Sequence, residues 1–295
     1  MGRIPHRLAV AATLAVVLTA AGCTRDPTAG PATPTAGTTS APTGAQDRTV
    51  ALTVDGVERE YLLHVPPGTT GPIPLVVMLH GGGGSARQAR NAYGWDDVAD
   101  REGFAVAYPD GLHRAWNVGG GCCGQPGTSG SDDVGFVGAV VQDAAGRLPV
   151  DPARVYATGM SNGAMMTHRL ACDTDLFAAV APVAGTRLGD CADPAPISLL
   201  EIHGTADDRV LYDGSPSVVG PAHIDGPPVV DLVADWRAID DCPAPQQSTT
   251  GNQEISTAEC PGGRTVELVT IDGGGHEWPE DATEEIWAFF AAHPG

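Results

Sequence analysis

The chain has 295 residues, 36 acidic side chains against 16 basic ones, and a net charge of −20; every one of the basic residues is Arg. So acidic a balance excludes a protein that seeks phosphate backbones or anionic lipid headgroups. It says little about substrate, because an acidic surface also serves solubility.

The chain opens with Arg3, His6 and Arg7, followed by 14 unbroken apolar or small residues, Leu8–Ala21. A membrane-spanning helix needs about 20 apolar residues, so residues 1–22 read as a secretory signal. Ala20-Ala21-Gly22-Cys23 is similar to the lipobox of bacterial lipoproteins, with Ala20 where Leu is usual. Cys23 is therefore expected to carry lipid; the alternative is plain secretion with cleavage nearby. Residues 23–46 form a linker: from Thr24 to Gln46, 20 of 23 residues are Thr, Pro, Ala, Gly or Ser. Such a stretch buries too little apolar surface to offset its ordering entropy. Residues 47–295 are expected to form one domain with ample core.

Within that domain, Thr49–Val54 and Glu58–Val65 alternate around Asp55-Gly56, a hairpin signature. Leu75–Leu79, Phe104–Tyr108, Arg154–Thr158, Phe177–Val183, Ile197–Ile202 and Thr265–Ile271 read as strands, most of them continuous apolar runs suited to a buried parallel sheet. Helices are predicted near Trp95–Arg101, from Asp132 or Asp133 to Arg147, and over Gly163–Cys172, Val230–Ile239 and Ala282–Ala292. Pro109–Ser131 reads as a long Gly-rich loop, and the Ser/Thr/Gln-rich stretch between Cys242 and Cys260 as another. Strands alternating with helices specify a mostly parallel α/β sheet covered on both faces. Ligands in such sheets sit at the C-terminal ends of strands.

Seven cysteines suit an exported protein. With Cys23 set aside, six remain. Closeness favours Cys242–Cys260 and Cys172–Cys191, each closing a loop worth roughly 3 kcal/mol. The adjacent Cys122 and Cys123 could pair with each other, with other partners, or stay reduced. The chain contains no CxxC pair, so no metal site is expected.

Three motifs follow strands. Gly159-Met160-Ser161-Asn162-Gly163 joins the strand Arg154–Thr158 to a helix, as a nucleophile elbow requires. His80-Gly81-Gly82-Gly83-Gly84 follows Leu75–Leu79 and matches an oxyanion loop, with donors expected from Gly82 or Gly81 and from Asn162. His80 itself is expected to brace that loop. His203-Gly204-Thr205-Ala206-Asp207-Asp208 follows Ile197–Ile202, and Asp207 is preferred over Asp208 as the acid. Gly273-Gly274-Gly275-His276 follows Thr265–Ile271 and supplies the base, His276. A serine hydroxyl needs a base, and the base needs an orienting carboxylate; the order Ser, Asp, His is that of an α/β-hydrolase fold. Trp116 and Trp278 are candidates to line a substrate pocket, and Asp133 is expected to cap its helix.

The set HGGGG, WNVGGGCCG, DDVGF, GMSNGA, FAAVAPVAG, HGTADDRV and GGGHEWP resembles the polyhydroxybutyrate depolymerase and feruloyl esterase family of secreted bacterial esterases. The resemblance runs from Val57 to about Phe290. It implies a Ser161–Asp207–His276 triad, no metal or organic cofactor, and as substrate an ester of hydroxyalkanoate polymers or of plant cell walls. A serine peptidase of the same fold and a non-catalytic envelope lipoprotein are the competing readings. No nucleic acid partner is expected, contact with the membrane is expected only through Cys23, and the protein is expected to be a monomer outside the cell.

Overall fold

The computed structural model describes residues 45–220 and 222–295. Cys23 and nearly all of the 23–46 segment lie outside them. The first strand begins at Gln46, one residue ahead of the expected domain start.

Strands β1 (Gln46–Val54) and β2 (Val57–Val65) form the hairpin at one edge, turning at Asp55-Gly56. β3 (Ile73–Leu79) follows, then helices α1 (Ala86–Ala92) and α2 (Trp95–Glu102), and β4 (Ala105–Pro109). A short helix α3 (Gly124–Ser129) sits within the long Gly-rich loop, ahead of α4 (Asp133–Arg147) and β5 (Val150–Met160). Then come α5 (Asn162–Asp173), β6 (Ala179–Val183), β7 (Ser198–Gly204), a small hairpin of β8 (Ser217–Val219) and β9 (Ala222–Ile224), and α6 (Val229–Ile239). β10 (Gln246–Thr250), β11 (Gln253–Cys260), β12 (Arg264–Ile271) and α7 (Ala282–Ala292) complete the chain.

The ten-stranded sheet has the order β1-β2-β4-β3-β5-β6-β7-β12-β11-β10. Its six central strands, β4 to β12, are parallel, and both edges are antiparallel hairpins. Burial on both faces explains why β3, β4 and β6 are continuous apolar runs rather than alternating. In β3, Leu75, Val77 and Leu79 face one core with α4, α5 and α6 (Phe136, Met165, Trp236), while Val76 and Met78 face the other with α1, α2 and α7 (Ala89, Trp95, Phe290).

Two features depart from expectation. The polar stretch bracketed by Cys242 and Cys260 is no loop but includes the β10–β11 hairpin; β10 is exposed along its whole length, so it carries no apolar alternation to betray it. Asp132, not Asp133, caps α4, its Oδ1 accepting the Gly135 N–H at 2.8 Å. Asp133 is buried, pairs with Arg59 at 2.8 Å and accepts the Asn117 N–H at 2.8 Å, which ties the long loop to the sheet edge. Disulfides join Cys172 to Cys191, Cys242 to Cys260, and the neighbours Cys122 and Cys123. Among the described residues no helix is long and apolar enough to cross a membrane.

Candidate active site

Ser161 stands between β5 and α5 with φ 58° and ψ −118°. A non-glycine residue in such a region costs on the order of 1–3 kcal/mol and persists only where its surroundings impose it. Here the Ser161 N–H donates to Val183 O at 2.9 Å, and the Ser161 carbonyl accepts the Met165 N–H at 2.9 Å. Gly163 lets α5 come down on β3: a Cβ there would lie 2.2 Å from Leu79 O.

His276 Nε2 is 2.9 Å from Ser161 Oγ, and its Nδ1 is 2.8 Å from Asp207 Oδ2. The loops carrying Asp207 and His276 are laced together. Ala206 N–H donates to Gly274 O at 2.9 Å, Gly273 N–H to Thr205 Oγ1 at 2.8 Å, and a Cβ on Gly204 would sit 2.2 Å from Gly274 O. Asp207 is buried and its other oxygen, Oδ1, accepts N–H groups from Arg209 and Val210 at 2.8 and 2.9 Å. Burial would raise its pKa, but hydrogen bonds from His203, His276 and the Arg209 N–H outweigh that and hold the carboxyl well below the usual range. Its neighbour Asp208 is exposed and accepts neither imidazole.

Behind Asp207 lies a buried chain that the sequence analysis missed. His203 Nε2 is 2.8 Å from Val210 O and 3.3 Å from Asp207 Oδ2, so that nitrogen carries a proton. Its Nδ1 faces Glu201 Oε1 at 3.5 Å, and Glu201 Oε2 faces His168 Nε2 at 3.0 Å. Burial disfavours an imidazolium, yet the Asp207 and Glu201 partners push the His203 pKa up to about 9. The visible signal was Glu201, a carboxylate inside the otherwise apolar run Ile197–Ile202.

The glycine loop abuts Ser161. A Cβ on Gly82 would lie 3.6 Å from the Asn162 Cβ. Gly83 N–H is committed to Arg114 O at 2.7 Å and Gly84 N–H to Gly81 O at 2.9 Å. Among the described residues the N–H groups of Gly81, Gly82 and Asn162 have no backbone acceptor. His80 braces the loop, with Nδ1 2.8 Å from Gly81 O and Nε2 accepting the Gly111 N–H at 2.9 Å. The Asn162 side chain is tied to the backbone of Trp116.

Two clefts meet at Ser161. One, of about 330 Å³, is bordered by Gly81, Gln88, Tyr93, Met160 and His276. The other, of about 300 Å³, is bordered by Ala115, Asn162, Met165, Ala222 and Ile224. Neither tryptophan borders either cleft. Trp116 is fully buried, its ring tilted against that of His80 with centroids 4.8 Å apart, and it donates its indole N–H to His80 O at 2.8 Å. Trp278 lies behind Tyr93, with ring centroids 4.6 Å apart, and donates to Thr283 Oγ1 at 3.1 Å. Both therefore shape the site from behind.

One cluster elsewhere has ligand geometry: Asp47, His64 and Asp96 bring three ligand atoms within 4.8 Å of one another. Arg90 already pairs with both carboxylates, at 2.5 and 2.6 Å, and so supplies the cation itself.

The sheet order and flanking helices define an α/β-hydrolase. They superimpose on the acetyl xylan esterase from Aspergillus awamori with a TM-score of 0.65, at 17% identity, over 84% of this chain and 99% of that one. Residues 59–223, more than half of the chain, match the family described as Esterase PHB depolymerase, and the chain belongs to that family of esterases. NocK of Nocardia uniformis subsp. tsuyamanensis, provisionally named an esterase, is 34% identical over 254 residues, covering 77% of this chain and 73% of NocK. Feruloyl esterase B of Piromyces equi is 33% identical over 237 residues, covering 74% of this chain but only 42% of that protein.

Proposed function

We propose that the chain hydrolyses carboxylic esters through an acyl-enzyme, with Ser161 as nucleophile, His276 as general base and Asp207 as its orienting carboxylate. One observation carries this: the unbroken run from Ser161 Oγ through both nitrogens of His276 to buried Asp207. Ser161 Oγ adds to the ester carbonyl carbon while its proton passes to His276 Nε2. The carbonyl electrons move onto oxygen, which the N–H groups of Asn162 and of Gly82 or Gly81 stabilise, each donor worth roughly 3 kcal/mol. Asp207 holds the imidazole through Nδ1–H and balances its positive charge. Collapse breaks the C–O bond, and the leaving oxygen takes the proton from His276 Nε2. Water then adds to the acyl-enzyme, its proton goes to His276 and on to Ser161 Oγ, and the carboxylic acid leaves.

The substrates are hydroxyalkanoate polyesters, or feruloyl and acetyl esters of polysaccharides, a reading supported by the family and by the names its members carry. The signal-like residues 1–22 and the lipobox-like Cys23 support a domain that works outside the cell, held to the membrane through the 23–46 linker. The test is hydrolysis of p-nitrophenyl butyrate, methyl ferulate and a polyhydroxybutyrate film. Wild type is expected to cleave at least one of them. Ser161→Ala is expected to fold normally and lose turnover by at least about 10⁴-fold. A folded Ser161→Ala protein that kept more than a few per cent of the activity would refute the mechanism.

A further inference from the structure

The two clefts at Ser161 differ in what they can hold. His276, which returns the proton to the departing alcohol, borders only the cleft of Tyr93 and Met160. The alcohol therefore leaves on that side, and the acyl group lies in the other cleft, whose wall is apolar at Ala115, Met165, Val219 and Ile224. The border of this acyl cleft is basic: His113, Arg114 and Arg209 all line it, and no carboxylate does.

That border runs against the character of the molecule. The described residues hold 13 of the 16 arginines and 35 of the 36 acidic side chains, a net charge of −22. Eight of these 13 arginines pair with a carboxylate: Arg59, Arg90, Arg101, Arg147, Arg154, Arg169, Arg187 and Arg264. Among the described residues neither Arg114 nor Arg209 has such a partner, although the acidic residues outnumber the arginines by more than two to one. Arg209 alone of the cations borders both clefts. Its place is set by its own N–H, which is bonded to Asp207. Arg114 is held in a left-handed turn with His113 (φ 63° and 51°), pinned by its carbonyl to Gly83 N–H and by Nε to Gly84 O. Backbone in that region survives only where the surroundings enforce it. The net field of the domain repels anions, so two cations left without carboxylate partners at the reacting serine are a local reversal of sign.

We propose that the acyl cleft takes acyl groups ending in a carboxylate, the half-esters of short dicarboxylic acids, and that Arg209 is the residue that selects them, with Arg114 beside it. A guanidinium fork matches a carboxylate in two parallel hydrogen bonds, and the apolar wall accommodates the methylenes between the two carboxyl groups. This inference rests on the esterase reading above. It goes beyond that reading, whose hydroxyalkanoyl, feruloyl and acetyl groups end without a carboxylate, by adding a further class of acyl group that the cleft accepts.

The test compares mono-p-nitrophenyl adipate with p-nitrophenyl hexanoate, acyl chains of equal length that end in a carboxylate and a methyl group. The quantity read is the ratio of their kcat/KM values, in wild type, Arg209→Gln and Arg209→Lys. Wild type is expected to favour the adipate ester by about tenfold or more at low salt, and the preference should shrink as salt screens the charge. Arg209→Gln should lower the ratio at least tenfold, through the KM of the adipate ester, and Arg209→Lys should recover part of it. Arg209 is the cleaner probe, because Arg114 also holds the glycine loop. A wild-type ratio of one or less would overturn the proposal, as would a ratio unchanged in Arg209→Gln. Both outcomes leave the esterase reading standing as long as Ser161→Ala abolishes hexanoate cleavage; no Ser161-dependent cleavage of either ester would refute that reading instead.

Discussion

Asp207 is held from two sides, by His276 toward Ser161 and by His203 toward the core. The sequence analysis chose Asp207 over Asp208 by position after a strand, and the exposure of Asp208 is the physical reason the choice matters. An exposed carboxylate is solvated and offers an imidazole little; a buried one with two backbone donors is fixed in place. His203 has a consequence for stability. Its folded pKa is raised from 6.5 to about 9, so the stabilisation from its charge is complete below 6.5 and is lost as pH rises through about 9. The melting temperature of wild type is therefore expected to fall across that window more steeply than that of His203→Gln. Parallel melting curves of the two proteins from pH 6 to pH 10 would show His203 to be uncharged in the fold.

At the level of elements, the elbow depends on how closely α5 approaches β3. A methyl group on Gly163 would meet Leu79 O at 2.2 Å and Leu79 C at 2.7 Å, both backbone atoms that cannot swing aside. Gly163→Ala is expected to destabilise the fold by several kcal/mol, at the upper end for single substitutions. Urea unfolding measures this directly, and a loss under about 1 kcal/mol would mean that the helix can shift. The central strands and the helices from α4 onward were readable because sheet burial on two faces leaves continuous apolar runs. The β10–β11 hairpin was not readable: an edge strand with no buried residue has no pattern to show. Helix α1 was missed for a related reason, since its seven residues, ARQARNA, bury only Ala86 and Ala89.

For the molecule as a whole, charge is the dominant long-range term. A net −22 over the described residues sets the compact state against its own repulsion. Salt that shortens the screening length from about 30 Å at 0.01 M to about 8 Å at 0.15 M should raise the melting temperature by a few degrees. A flat or falling salt dependence, followed by calorimetry, would show that the local ion pairs already balance the net charge.

The class of fold and the three motifs at strand ends followed from the sequence alone. Burial writes itself into apolar runs, and a sharp turn carrying a nucleophile demands glycine at fixed offsets. Everything that depends on residues far apart in the chain meeting in space was decided by the tertiary structure. The Asp207–His203–Glu201–His168 chain joins α5 to β7. The two clefts are built from loops more than 100 residues apart. Trp116 and Trp278, both adjacent to motifs, lie behind the site: Trp116 is fully buried against His80, and Trp278 is half-buried against Tyr93 with its indole N–H bonded to Thr283.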